Sequence, residues 1–269
     1  MRFKKNIFQR NLTQGDEFLD VWVYSIEEFH DVQYICQVGA ILSADEREAA
    51  GRYRFESDRV RYVFTRALAR EILGAYLKRE PASLTFEFGP YGKPYLKLLE
   101  RDKKIQFNIS HTDTTIVIAV AEGNEVGIDI EKYSSPTLKY VELLDMFMLQ
   151  EREYIIGEAG SVASERFARI WSLKEAYLKA YGVGLSRPLR SFGFQIREHI
   201  HILETDPAFQ ASPLPQCWQL CFDPKSIISI CKIGGHRNNP LRIFDIGQES
   251  GISIRNSLEH SNELNILKS

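Results

Sequence analysis

The run Val126-Gly127-Ile128-Asp129-Ile130-Glu131 carries two carboxylates two positions apart in an otherwise apolar stretch. Side chains alternate along a strand, so Val126, Ile128 and Ile130 point one way and Gly127, Asp129 and Glu131 the other. The carboxylates then stand ~7 Å apart along the chain, at ~3.3 Å per residue, with Gly127 keeping their face clear. Such a pair fits a hard cation such as Mg²⁺, which takes one or two carboxylates plus substrate phosphates. On this stretch alone the plainer reading, the wet face of a half-buried antiparallel strand, is favoured. A second set lies in Phe167–Tyr181, where Phe167, Ile170, Trp171, Tyr177, Leu178 and Tyr181 form an apolar helical stripe. At about 100° per residue, Glu175 and Lys179 sit one turn apart at the edge of that stripe. They could face a cleft, or form an ordinary surface ion pair.

Basic candidates come from the first half of the chain. Arg61 falls about 55° from the centre of its helix's apolar stripe, where a charge needs a partner. Gly92-Lys93-Pro94 is a loop in which Gly92 permits close ligand approach and Pro94 stiffens the next residues. Ser110-His111 closes an apolar strand and could offer a hydroxyl, an imidazole and backbone N–H groups to a phosphate, or merely tie down the strand end.

The elements that must position these groups are legible from pattern. Residues 18–26 alternate as a strand, and Ser43 with Glu46 is a capping box opening a short helix. A longer helix runs from Asp58 to about Lys78, before Pro81. Strands are expected at Leu84–Phe88, Ile105–Ile109, Thr115–Ala121 and Val126–Glu131, the last two joined as a hairpin through Glu122–Glu125. One or two helices fill 138–156, and the Phe167–Tyr181 helix ends at Gly182 and Gly184. Residues 192–231 read as a strand-rich return with turns at Asp206-Pro207, Pro213/Pro215 and Asp223-Pro224. The helix and strand at 58–88 are echoed in pattern at 165–197. That echo suggests halves of 1–125 and 126–235, followed by a polar, weakly patterned tail, 236–269, partly mobile in expectation.

Composition narrows the class. The 269 residues carry 34 Lys plus Arg against 36 Asp plus Glu, a net charge of −2, which argues against a general nucleic-acid binder. The longest strongly apolar run, Ile116–Ala121, is far short of the ~20 residues of a membrane helix. No apolar segment follows the basic Met1–Asn6, so no secretory signal is expected. Cys36, Cys217, Cys221 and Cys231 form no CxxC pair, consistent with reduced thiols in a cytoplasmic protein.

In order, Tyr91-Gly92-Lys93-Pro94, Phe107-Asn108-Ile109-Ser110-His111, Val126–Glu131 and Trp171-Ser172-Leu173-Lys174-Glu175-Ala176-Tyr177-Leu178-Lys179 resemble the 4′-phosphopantetheinyl transferases of the larger, surfactin-type class. The resemblance covers residues 43–195 well and does not reach past 236. It implies an α+β chain of two similar α/β halves with the active site in the cleft between them, and a monomer. It implies Mg²⁺-dependent transfer of the phosphopantetheine arm of coenzyme A to a serine of an apo acyl or peptidyl carrier protein, releasing 3′,5′-ADP. By the same resemblance Asp129, Glu131 and Glu175 hold Mg²⁺, with Lys179 on the pyrophosphate and Lys174 nearby. Arg61, Lys93 and His111 meet the 3′-phosphate and neighbouring groups, helped by Gly92, Pro94 and Ser110, and Glu151 matches a carboxylate proposed as base for the carrier serine. Some relatives carry lysines where this chain has Glu46 and Ala49, which leaves Arg47, Arg52 or Arg54 as substitutes. The rival readings are a Mg²⁺-dependent phosphohydrolase or nucleotidyl transferase, and a non-catalytic coenzyme A-binding or carrier-docking module.

Overall fold

Local chemistry sets the ends of the main helices. Ser43 Oγ accepts the Glu46 N–H at 3.2 Å while the Glu46 carboxylate accepts the Ser43 N–H at 2.9 Å, starting α1 (Ala44–Gly51) with a full capping box. Two 22-residue helices follow at corresponding places in the chain, α2 (Glu56–Leu77) and, further on, a helix at Gly160–Tyr181. Each stops at a left-handed residue, Lys78 (φ 53°) and Gly182 (φ 65°). The computed structural model describes residues 18–26, 38–133, 141–197, 199–204, 215–234, 241–247, 251–256 and 267–268.

The strands are β1 (Leu19–Ser25), β2 (Phe86–Phe88), β3 (Pro94–Leu96), β4 (Ile105–His111), β5 (Thr115–Glu122), β6 (Val126–Lys132), β7 (Phe192–Ile196), β8 (Ile200–Glu204), β9 (Gln216–Asp223), β10 (Ser226–Lys232), β11 (Leu241–Gly247), β12 (Gly251–Asn256) and β13 (Leu267–Lys268). Between β6 and β7 lie α3 (Val141–Leu144), α4 (Leu149–Ile156) and α5, the helix at Gly160–Tyr181. The first sheet is ordered β12-β11-β1-β5-β4, the second β13-β9-β10-β6, with β2-β3 and β7-β8 as separate two-stranded pairs. The faint echo in the sequence is therefore a repeat of topology. In each half a leading strand (β1, β6) is followed by a long helix, a small two-stranded pair and a hairpin (β4–β5, β9–β10), whose second strand pairs with the leading one.

The two sheets pack face to face. Val21, Val23, Val117 and Ala119 from the first meet Ile128, Ile130, Leu220, Ile228 and Ile230 from the second. On the outer face of the first sheet, Trp22, Ile118 and Val120 pack on Phe64, Leu68 and Ile72 of α2. On that of the second, Cys217 and Cys231 lie in one cluster with Leu173, Ala176 and Ala180 of α5. The molecule is thus α+β, four layers deep, with a long helix on each outer face.

Two expectations change. The Thr115–Ala121 and Val126–Glu131 strands are not a hairpin: β5 is already paired on both sides, by β1 and β4, so the chain leaves through Gly123 (φ 72°) and β6 begins the other sheet. Nor does β6 have a wet face, since Gly127 and Asp129 are buried under α5. Part of the polar tail is structural as well. β11 lies parallel to β1, and Arg242 donates two hydrogen bonds of 2.7 Å to buried Asp20, which also accepts from the Tyr76 hydroxyl. Alternating Leu241, Ile243 and Phe244, Ile246 feed opposite faces of the sheet, a pattern too short to stand out amid polar residues. The turns at Asp206-Pro207 and Pro213 lie outside the described residues, as does Cys36. Among the described residues no helix is long and apolar enough to cross a membrane.

The α5–β6 contact is unusually close. A Cβ on Gly127 would fall 2.0 Å from the Ala176 carbonyl oxygen and 2.3 Å from the Ala180 nitrogen, both backbone atoms that cannot yield. Gly127→Ala is therefore expected to cost about 3 kcal/mol or more through overpacking. Urea unfolding checks this; an unchanged midpoint would show that the helix can ride outward freely.

Candidate functional site

The site forms where β6 passes between α5 and β4, the edge strand of the first sheet. Asn108 and Ser110 share one face of β4 and take the place of a backbone ladder. Asn108 Oδ1 accepts the Ile128 N–H at 2.9 Å, and Ser110 Oγ accepts the Ile130 N–H at 3.4 Å. Edge groups that would otherwise be buried unpaired are satisfied across the junction of the halves.

Around this seam the structure brings together Asp129, Glu131, Glu175, Lys179 and Ser110. Asp129, 4 % exposed, accepts at Oδ1 from Lys179 Nζ (2.6 Å) and Ser110 Oγ (2.8 Å), and Lys179 also donates to Ser110 Oγ at 3.1 Å. Asp129 Oδ2 is buried without a hydrogen-bond partner among the described residues. Burial, then repulsion from Asp129 and Glu175, raises the Glu131 carboxyl to about 7, against the pull of Lys179 and a hydrogen bond from the Trp171 indole. Burial also raises Glu175, opposed by Lys179 and reinforced by Asp129. Burial and the mutual repulsion of these acids thus work against the pull of Lys179. Among the described residues no three His, Cys, Asp or Glu side chains stand grouped so as to hold a metal ion as they are.

The other sequence candidates divide. Arg61 and His111 line a cavity of about 310 Å³ on the first half, with Pro94 and Asn108. Arg61 has the partners its position demanded, Asp58 and, at 3.2 Å, Asp113. Burial, then Arg61 and Lys179, lowers the His111 imidazole. Lys93 does not line that cavity. Its ammonium, lowered by burial against the pull of Glu125, is enclosed beneath the end of α5, donating to Glu125 (2.6 Å), the Ala180 carbonyl (2.9 Å) and the Val126 carbonyl (3.3 Å). It latches the first half onto the second. Gly92 (φ 81°) makes the tight turn that delivers it.

Lys174 and Glu151 are placed differently from the resemblance. Both are 0 % exposed, and they pair at 2.9 Å in the core between α4, α5 and β7. Lys174 Nζ also donates to the Leu189 and Phe192 carbonyls, and Glu151 accepts the Met148 and Phe194 N–H groups. Burial drives the lysine's pKa down and the glutamate's up, and their mutual attraction opposes both shifts. A base for a partner's serine must be reachable, and every oxygen of this carboxylate is occupied from within. On α1, Glu46 bonds buried Arg70 at 2.8 Å, Arg47 donates to the Leu42 carbonyl, and Arg52 pairs with Glu48. Arg54 rests on the Phe55 ring. Sequence reasoning missed Asn108 and Trp171 as site residues. Asn108 was findable, because Asn108 and Ser110 are two polar residues on one face of an apolar strand.

Comparison with known proteins agrees with this architecture. The family model described as "4'-phosphopantetheinyl transferase superfamily" matches residues 125–233, and "4'-phosphopantetheinyl transferase, N-terminal" matches 30–123. The chain belongs to this family, in its larger Sfp-type class, and is an enzyme of that type. Its relatives include the 4'-phosphopantetheinyl transferase HetI of Nostoc sp. (strain PCC 7120), 30% identical over 227 residues, 83% of this chain and 91% of that one. A 4'-phosphopantetheinyl transferase of Bacillus subtilis is 32% identical over 163 residues, covering 61% and 70% of the two chains. The 4'-phosphopantetheinyl transferase Sfp of Bacillus subtilis (strain 168) is 27% identical over 159 residues, 59% and 68%.

Removing either partner of the buried pair, Glu151→Ala or Lys174→Ala, is expected to cost about 3–5 kcal/mol, with the Glu151→Gln/Lys174→Met double variant recovering part of it. Urea unfolding of the set decides; additive losses would deny the pairing. Glu131 gives a pH signature. Between its ordinary 4.5 and about 7 the folded protein keeps a proton that the unfolded chain has released, so metal-free stability falls as pH rises through that window. Glu131→Gln should flatten that slope by on the order of 2 kcal/mol, allowing for solvent screening, in unfolding at pH 5 and 7.5 with chelator.

Proposed function

We propose that this protein transfers the 4′-phosphopantetheine arm of coenzyme A to a serine of an apo acyl or peptidyl carrier protein, giving holo carrier and 3′,5′-ADP. The observation that carries the reading is the convergence of Asp129 and Glu131 on β6 with Glu175 and Lys179 on α5 and Ser110 on β4, at the seam of two like halves. The halves are taken as 1–125 and 126–235, each supplying one wall.

The residues present fit Mg²⁺. All three acids are hard oxygen donors, Asp129 Oδ2 is buried with a free lone pair, and the raised carboxyls of Glu131 and Glu175 register charge repulsion that a cation would relieve. Asp129, Glu131 and Glu175 would hold the ion, which when bound would neutralise the coenzyme's pyrophosphate and polarise its phosphoryl oxygens. Lys179 then turns from Asp129 toward the charge that builds on the leaving phosphate. The serine oxygen forms a bond to the phosphorus bearing pantetheine as that phosphorus loses its bond to the bridging oxygen of 3′,5′-ADP. As that bond forms the serine proton goes to a carboxylate or a water at the acid cluster. Arg61 and His111 border the cavity that takes the nucleotide end, and Lys93, Lys174 and Glu151 hold the walls in place. Cys217, Cys221 and Cys231 as thiols accord with a reducing cytoplasm, and two halves in one chain with a monomer.

The test mixes protein, coenzyme A, Mg²⁺ and an apo carrier, and reads the carrier by intact-mass spectrometry. One added phosphopantetheine is expected, lost on chelation and restored by Mg²⁺, with Glu175→Gln and Asp129→Asn slower by about 10²–10³-fold. No gain on several unrelated apo carriers by folded protein would overturn the transfer.

A further inference from the structure

The cavity on the first half contains two features that the transfer reading does not use. Adjacent residues of α2, Thr65 and Arg66, both line it, beside Arg61, Tyr62 and His111. Thr65 is 7 % exposed, and its hydroxyl oxygen is buried with no hydrogen-bond partner among the described residues. Buried hydroxyls are nearly always satisfied, so an orphan facing a cavity marks the place of a bound polar group. Arg61 is already neutralised by Asp58 and Asp113, whereas Arg66 has no carboxylate partner among the described residues. Its guanidinium lies over the rings of Tyr62 (5.4 Å) and Phe88 (5.8 Å) instead. Cation–π contact with two rings steadies the guanidinium without using its N–H groups, which stay available for bidentate contact with a phosphate.

Resting on the coenzyme A reading, we propose that Arg66, with the Thr65 hydroxyl, is the determinant that selects coenzyme carrying a 3′-phosphate. Strand β4 connects the two places. Ser110 joins the acid cluster, while Asn108 and His111 line this cavity, so a pyrophosphate at the cluster puts the nucleotide end here. The phosphate remote from the reacting bond is the ribose 3′-phosphate. Arg66 brings to this cavity, from α2, a positive charge with no carboxylate partner among the described residues.

Calorimetric titration with adenosine 3′,5′-bisphosphate and with 5′-AMP tests this without depending on turnover. Wild type is expected to bind the bisphosphate at least about tenfold more tightly than 5′-AMP, the scale of one charged hydrogen-bonded contact. Arg66→Ala should erase that ratio while leaving 5′-AMP affinity unchanged, which also shows the variant is folded, and Arg66→Lys should keep part of it. A ratio that persists in Arg66→Ala, an equal loss for both ligands, or no binding of either by wild type would each overturn the assignment. If wild type still modifies a carrier in the mass assay, the transferase reading stands and only the role of Arg66 falls.

Discussion

Everything at the site depends on one backbone-to-backbone approach, that of α5 to β6 across Gly127. Helices usually keep their distance from a sheet by a layer of side chains. Here the glycine on one side and Ala176 and Ala180 on the other remove that layer. The consequence is geometric: residues two and four positions along β6 are brought level with residues one turn apart on α5. Asp129 therefore meets Lys179 at 2.6 Å, with Glu131 and Glu175 near enough to feel both, where a normal spacer of leucines would have held them apart. Charge that would be wasted in water becomes concentrated in a half-buried seam, which is what shifts the glutamates upward.

The second constraint is that the seam joins two sheets without merging them. β4 and β6 are neighbouring edges, and Asn108 and Ser110 bridge them with side-chain oxygens. A continuous ladder would have closed the space between the two edges. From the other end, Lys93 pins the Gly-Lys-Pro loop to the carbonyls of Ala180 and Val126. The buried Lys174–Glu151 pair plays a comparable part inside the second half, fixing α4 and β7 against α5. Three lysines that the family resemblance places near phosphate thus divide in space: Lys179 at the acids, Lys93 at the junction, Lys174 in the core.

Periodicity made much of this legible. The long helices, the strands around 105–132, the capping box at Ser43 and the acids of β6 and α5 all follow from local pattern and from the glycine beside them. What pattern could not convey was pairing. Nothing in Glu122–Glu125 tells a hairpin from a crossing between sheets, because the difference lies in β1 having already claimed the far side of β5. Nor can a helical wheel reveal that Lys174 is core: its charge is tolerated only because Glu151 and two carbonyls meet it, all distant in sequence. The β11 segment was hidden for the same reason, since its value as a strand comes from β1, more than two hundred positions away.

That last pairing has a consequence for how the chain is made. During synthesis β1 emerges more than two hundred residues ahead of its parallel neighbour β11, so its open flank and the carboxylate of Asp20 wait until β11 is made. The N-terminal half can collapse around Trp22 and α2 early, but it cannot close until Arg242 arrives. Closure of so long a loop makes the final step one of high contact order. Maturation of the fold thus waits on β11, and a nascent chain stopped short of it would carry a finished acid seam on an unfinished sheet.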